Sequence, residues 1–232
     1  METVPGWAED TEAALLTATL PHVIALGWTQ RALAAAADDV GLSLAEAQLL
    51  LPHGPRDLAA LLAARHDAKA LSALAHIDPA TLKVRERIRQ GVMARCEAAA
   101  HDGEATRRWS GYLALPAHVS LGLRLAWASA DSLWRWAGDT ATDENHYSKR
   151  LLLAEILIST LAIRLALGAN AAAAHLDRRI DAVMAFERWK AGIHPSAMAI
   201  RVAGHLGRLR YGRSGRSKGD LDTADHAARR AG

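Results

Sequence analysis

The sequence predicts an all-α protein. Nearly every segment begins at a residue that caps helices or ends at one that stops them, and no segment sustains the apolar–polar alternation of a strand. Half of the 232 residues are hydrophobic, enough to bury a sizeable core.

Taken in order, the elements justify themselves locally. Thr29 caps a helix reaching about Val40, which Gly41 stops. Ser43 followed by Glu46 is a capping box that opens a short helix, ended by Pro52. Asp78 before Pro79 starts a longer helix to about Ala100, and Leu115 before Pro116 starts another that reaches Trp136. His101, Asp102 and Gly103 form the loop between these two. Further helices are expected from about Thr142 to Gly168 and from about Ala171 to Trp189. Four regions follow: a helix-turn-helix-like N-terminal segment (1–66), a helical bundle (67–192), an amphipathic helix (193–211) and a basic tail (212–232). The tail is polar and glycine-rich, too poor in apolar residues to offset its ordering entropy, so disorder is expected there.

Composition excludes several classes. The single cysteine, Cys96, leaves no internal disulfide, and the eleven histidines include no E-x-x-H or H-x-x-x-H spacing for a metal. There is no P-loop and no G-x-G-x-x-G before a helix, so no catalytic residue, cofactor or enzymatic activity is expected. The run Leu151–Leu167 is interrupted by Glu155 and Arg164 and reads as a buried helix rather than a membrane span. Glu2, Glu9 and Asp10 argue against a secretory or mitochondrial leader, giving an expectation of a cytoplasmic location. Of the 28 basic and 25 acidic residues, 8 and 3 fall from Arg201 onward, so the first 200 residues hold 20 and 22 and are slightly acidic.

A helix, a tight turn at Gly41 and a second helix suggest a DNA-reading pair of the TetR type, or a regulator of that type sensing a lipophilic ligand. The second helix, Leu44–Leu51, offers one glutamate, one glutamine and no Lys or Arg, and only Arg31 and Arg56 lie near. Such a surface repels a polyanion, so no nucleic-acid partner is expected.

Trp134–Arg150, reading WRWAGDTATDENHYSKR, crowds charged, aromatic and turn-forming residues into one window. At roughly 100° per residue, Asp143, His146, Tyr147 and Arg150 share a helical sector about 100° wide, continued by Leu153, Ala154, Leu157 and Leu161. A helix polar at its entrance and apolar beyond suits an amphiphile with its head at Arg150 and its tail along the leucines. The leucines also suit a plain core helix, and Asp143 with Arg150 also suits local helix-end electrostatics. Trp127 and Trp134 share a face and read as packing. Arg164 lies farther along the same sector and needs a partner or solvent.

The window resembles the signature W-x-x-A-G-D-x-S-x-D-x-x-W-Y-x-K/R-R of the ubiquinone-biosynthesis accessory family, lipid-binding proteins with a TetR-like fold. Trp134, Ala137, Gly138, Asp139, Asp143, Tyr147, Lys149 and Arg150 fit. The resemblance extends through Gly27–Leu58, Leu115–Trp127 and Leu176–Ala191. His146 stands where the family has tryptophan, and Thr140–Thr142 rearranges its turn. The resemblance implies that Arg150 meets a phospholipid headgroup and that Leu133, Asp143, Tyr147 and His146 form the surface docking demethoxyubiquinone hydroxylase. It further implies a homodimer that is not itself an enzyme, and that presents an isoprenoid lipid or quinone precursor at the inner membrane.

Beyond Pro195, Met198, Val202, Leu206 and Leu209 form a stripe about 80° wide, flanked by Arg201 and Arg208. Arg210, Arg213, Arg216 and Lys218 follow, and each basic residue near an anionic leaflet is worth about 1 kcal/mol. The segment reads either as a membrane-surface helix or as a last helix closing the bundle, and the family's C-terminal amphipathic helix favours the membrane.

Overall fold

The computed structural model describes residues 6–139 and 144–192, and these are helical apart from turns and one 3₁₀ segment. In chain order the helices are α1 (Trp7–Leu26), α2 (Gln30–Asp39), α3 (Leu44–Leu50), α4 (Pro55–Leu74), α5 (Val84–His101), α6 (Gly103–Ala114), α7 (Val119–Trp136), α8 (Glu144–Leu167) and α9 (Ala169–Gly192). The all-α class holds, and the arrangement accords with a TetR-like fold. The chain divides into two compact units, one ending at Asp181 and the second beginning at Ala182. In the second unit the described residues are the final turns of α9. The segment 193–211, with Met198, Arg201, Val202, Leu206, Arg208 and Leu209, and the tail 212–232 lie outside the described residues, as do Thr140–Asp143.

The α2–α3 pair forms as its sequence dictates. The Thr29 hydroxyl accepts from the Ala32 N–H at 3.4 Å. Gly41, at φ +72°, lets its own N–H reach the Asp38 carbonyl and the Leu42 N–H reach the Ala37 carbonyl at 2.8 Å, the paired bonds of a Schellman cap. Ser43 and Glu46 complete the capping box: the Glu46 N–H donates to the Ser43 hydroxyl, and the Ser43 N–H donates back to the carboxylate at 2.8 Å. Leu33, Ala36 and Ala37 of α2 then enter one core with Leu15 and Val23 of α1, Leu58 and Leu62 of α4, and Trp109 of α6.

Three boundaries differ from expectation. Asp78 caps only the 3₁₀ turn Pro79–Thr81, because Leu82 returns to extended backbone, and α5 starts at Val84. Residues 116–118 make a turn closed by the His118 and Val119 N–H groups on the Leu115 carbonyl, which delays α7 to Val119. The 101–103 loop is a bare corner, with a further helix, α6, beginning at Gly103.

That corner is tied to α4 from beneath. Asp102, free of any capping bond, accepts from Arg65 Nη2 at 2.9 Å and is 2.8 Å from His66 Nε2. His66 is fully buried and meets the Trp109 ring edge-on, with ring centres 6.2 Å apart. Burial, reinforced by the nearby Arg95 charge, lowers its pKa from 6.5 to about 4 despite Asp102. A neutral ring therefore donates from Nε2. Burial alone would raise Asp102, but hydrogen bonds from His66 and Arg65 more than offset it and bring the carboxyl down to about 2.

Because His66 is neutral when folded and protonates at 6.5 once unfolded, acid favours unfolding. Stability should be constant above pH 6.5 and fall by about 3 kcal/mol as pH drops to about 4. Urea unfolding at stepped pH should show this slope in the native chain and its loss over that window in His66→Gln.

Candidate functional site

The window from Trp134 to Arg150 folds as a helix end, a turn and a helix start. Gly138, at φ +83°, takes a backbone that residues with a Cβ rarely adopt, and terminates α7 with a second Schellman cap. Its N–H donates to the Arg135 carbonyl, and the Asp139 N–H donates to the Trp134 carbonyl, both at 3.0 Å. This places the Asp139 carboxylate against the first turns of α8. From α5, Arg87 Nη1 donates to the Ala137 carbonyl at 2.7 Å and fixes the turn from a third helix.

Arg150 is the centre of the cluster. It is 2% exposed, donates from Nε to Asp131 at 2.5 Å, and donates from Nη1 to Asp139 and to the His146 carbonyl, each at 3.2 Å. Lys149 Nζ donates to Asp139 at 2.7 Å and lies 5.3 Å from the centre of the Trp134 ring. The indole N–H of Trp134 donates to the Lys149 carbonyl at 3.1 Å, and Arg135 pairs with Asp131 at 2.7 Å. Burial pushes the Asp139 pKa up, but the bonds from Lys149 and Arg150 outweigh it and hold the group below its ordinary value. The motif therefore forms a clamp between α7 and α8.

The expected site residues separate into three places. Leu153, Ala154 and Leu157 are buried, and Leu161 packs half-buried against the core. Leu133, expected on a docking surface, is buried instead: a Cβ added at Gly91 of α5 would lie 3.3 Å from its side chain. Tyr147 is 66% exposed, tilted against Trp127 with ring centres 6.1 Å apart and edge-on to His146 at 5.2 Å. Asp143 lies outside the described residues. Arg164 has its partner in Glu97 of α5, bonded twice at 2.8 Å.

A cavity of about 620 Å³ lies among α5, α6, α7 and α8, within the usual range of small-molecule sites, about 300–1,000 Å³. Its walls are mainly apolar, with Trp109, Leu113, Leu125, Leu157 and Leu161. Small residues leave the room: Gly122 and Ala126 lie one turn apart on α7, as Ala162 and Ala166 do on α8. The layout differs from the expected one. α7 contributes its first half and α8 its second half, so no residue of 134–150 lines the cavity, Arg150 included. Of the five expected lipid-contacting residues, Leu157 and Leu161 line it.

The polar lining was not anticipated. Arg95, with its side chain 6% exposed, donates from Nε to Asp67, whose same oxygen accepts from the Ser129 hydroxyl at 2.7 Å. Cys96 beside it is buried, and burial pushes its thiol up to about 12, leaving a protonated sulfur with no nucleophilic character near neutrality. One signal pointed here: Val92, Arg95, Cys96 and Ala99 follow the i, i+3, i+4, i+7 spacing of a core-facing stripe, with an arginine inside it. Among the described residues no group of three or more His, Cys, Asp or Glu is placed to hold a metal, and no helix is long and apolar enough to cross a membrane.

Fold and site together define an all-helical, helix-turn-helix-bearing protein with an apolar interior cavity. Residues 119–187, spanning α7, α8 and most of α9, match the COQ9 family model. The chain is 30% identical over 160 residues to the human mitochondrial ubiquinone biosynthesis protein COQ9 and to its bovine counterpart, covering 66% of this chain and 50% of each of those. It is 27% identical over 168 residues to the COQ9-B protein of Xenopus laevis, covering 68% of this chain and 56% of that one. The chain thus spans about half the length of the curated relatives it matches.

If the clamp is the structural joint of α7 and α8, Arg150→Met, which removes the buried guanidinium's bonds to Asp131, Asp139 and the His146 carbonyl while Arg135 and Lys149 still pair the carboxylates, should cost about 2–3 kcal/mol in chemical denaturation. Lys149→Met, at a partly solvated pair, should cost less than about 1 kcal/mol.

Proposed function

We propose that this protein is a non-catalytic, lipid-binding accessory protein of ubiquinone biosynthesis, which takes an isoprenoid or phospholipid chain into the α5–α8 cavity. It presents a quinone precursor to demethoxyubiquinone hydroxylase at the inner membrane, as a homodimer. The cavity carries the reading. An interior space of about 620 Å³ with mainly apolar walls is unfavourable when filled with water and suits hydrocarbon. A polyprenyl quinone is sparingly soluble outside lipid, so a hydroxylase working at a membrane surface gains from a carrier with a dry compartment. Similarity to proteins named for ubiquinone biosynthesis supports the pathway.

Tyr147, exposed and braced by Trp127, supports the docking half of the proposal. An aromatic ring already held in one orientation loses little entropy when a partner covers it. His146 next to it offers less area than the tryptophan of the family signature. The α3 surface favours a carrier over a DNA reader: Leu49 is 82% exposed, Leu44 is exposed with it, and the helix holds Glu46 but no Lys or Arg. Specific retardation of a promoter fragment at physiological salt would favour the regulator instead.

Native mass spectrometry of the full chain should show a co-purifying lipid or quinone, lost in Ala126→Trp, where an indole fills the lumen. A wild-type chain that carries none and takes up none from anionic vesicles would refute the carrier role. Tyr147→Ala should weaken hydroxylase binding about tenfold by calorimetry while leaving the co-purifying ligand in place.

A further inference from the structure

The cavity is graded from one side to the other. Arg95, Cys96 and Ser129 are buried at its closed side, whereas Val119, Leu123 and Ile158 are exposed at its open side. A simple fatty-chain pocket has the opposite polarity, with charged groups at the mouth and hydrocarbon at the bottom. Among the described residues the Arg95 guanidinium bonds to Asp67 through Nε, and its two terminal nitrogens make no hydrogen bond and are not closed off from the cavity that Arg95 lines. They supply accessible N–H donors to a cavity whose other walls are mainly apolar, so a ligand with an acceptor gains hydrogen bonds there that hydrocarbon does not offer.

The charge beside those donors selects the acceptor. Asp67 already offsets the Arg95 charge and holds Ser129. A phosphate or carboxylate brought there would shed its water and sit near the Asp67 carboxylate, with no surplus positive charge to compensate. A neutral carbonyl oxygen needs donors alone. Resting on the lipid-cavity reading above, we infer that the ligand enters head-first: a neutral, carbonyl-bearing ring of the quinone class is held by the Arg95 terminal N–H groups, and its hydrocarbon tail runs out past Val119, Leu123 and Ile158. The neighbouring thiol fits this occupant, because Cys96 stays protonated and does not add to an electron-poor ring. Arg107, the cationic alternative at the mouth, already donates to the Leu165 carbonyl at 2.8 Å and pairs with Glu104.

The test compares two probes with the same tail, a decyl-substituted dimethoxybenzoquinone and decylbenzene, titrated into the full chain. The quinone should bind at least about tenfold more tightly, the worth of a charge-assisted hydrogen bond. The double variant Arg95→Met with Asp67→Asn, which leaves no lone buried charge, should erase that preference while binding decylbenzene as before. Equal binding of the two probes by the wild type, or a preference surviving in the variant, overturns the head-first orientation and leaves the carrier intact. Binding of neither probe by the wild type sinks both. Photo-crosslinking of the unaltered protein gives an answer independent of the variant's folding. A ring-azido quinone should label the Arg95, Cys96 and Ser129 neighbourhood, and a tail-end diazirine should label Val119, Leu123 or Ile158. The reversed pattern, with the ring at Arg107, overturns the inference.

Discussion

The arrangement of α7 and α8 depends on one buried cation. Arg150 is closed off between Asp131 on its neighbouring helix and Asp139 in the turn, so the two helices have a single register in which all three charges are paired. Buried ion pairs contribute little stability beyond what packed hydrocarbon would, since desolvation consumes most of the Coulomb gain. They do penalise every arrangement that separates the partners. Sliding α8 by one turn would carry the buried Arg150 charge away from both of its carboxylates, and the apolar packing of Leu153 and Leu157 alone exerts no such veto. With register fixed at this end, the small side chains at the other end leave an opening instead of a collapsed contact.

The helical class and the α2–α3 pair were legible because their signals are local. A capping box and an αL glycine act within a few residues, so Ser43, Glu46 and Gly41 foretell the turn without knowledge of the remaining chain. The signature was legible as a motif but not as a mechanism. The ordering of Ala137, Gly138 and Asp139 is explained by a helix cap whose last residue supplies a carboxylate, which requires knowing what Arg150 faces. Position 78 misled because one 3₁₀ turn satisfies the same capping chemistry as a long helix. The cavity and its polar floor were hidden for a different reason. Asp67 and Arg95 are 28 residues apart, and Asp67 and Ser129 62 apart, so no window contains them. Void space is a property of how four helices meet, and each of those helices alone reads as ordinary amphipathic sequence.

α8 carries two features at different heights. Tyr147 stands on its exposed first half and Ile158 edges the cavity on its second, about 16 Å along the axis at 1.5 Å per residue. A partner of ordinary interface size covers such a distance. A protein seated on the aromatic patch is therefore within reach of the opening, while the clamp keeps patch and opening at constant separation.

The bonds around the cavity differ in their access to water. Those at the floor, among Arg95, Asp67 and Ser129, are mostly shielded; the one drawing α6 to the end of α8, from Arg107 to the Leu165 carbonyl, lies in solvent. Electrolyte weakens the second kind and scarcely reaches the first. Of these two contacts, the one between α6 and the end of α8 is accordingly the one that ions loosen. If the proposed head-first ligand is held in the cavity, it would leave tail leading past Val119, Leu123 and Ile158, beside this solvent-exposed contact, and the pace of its exchange would follow the salt content of the surroundings.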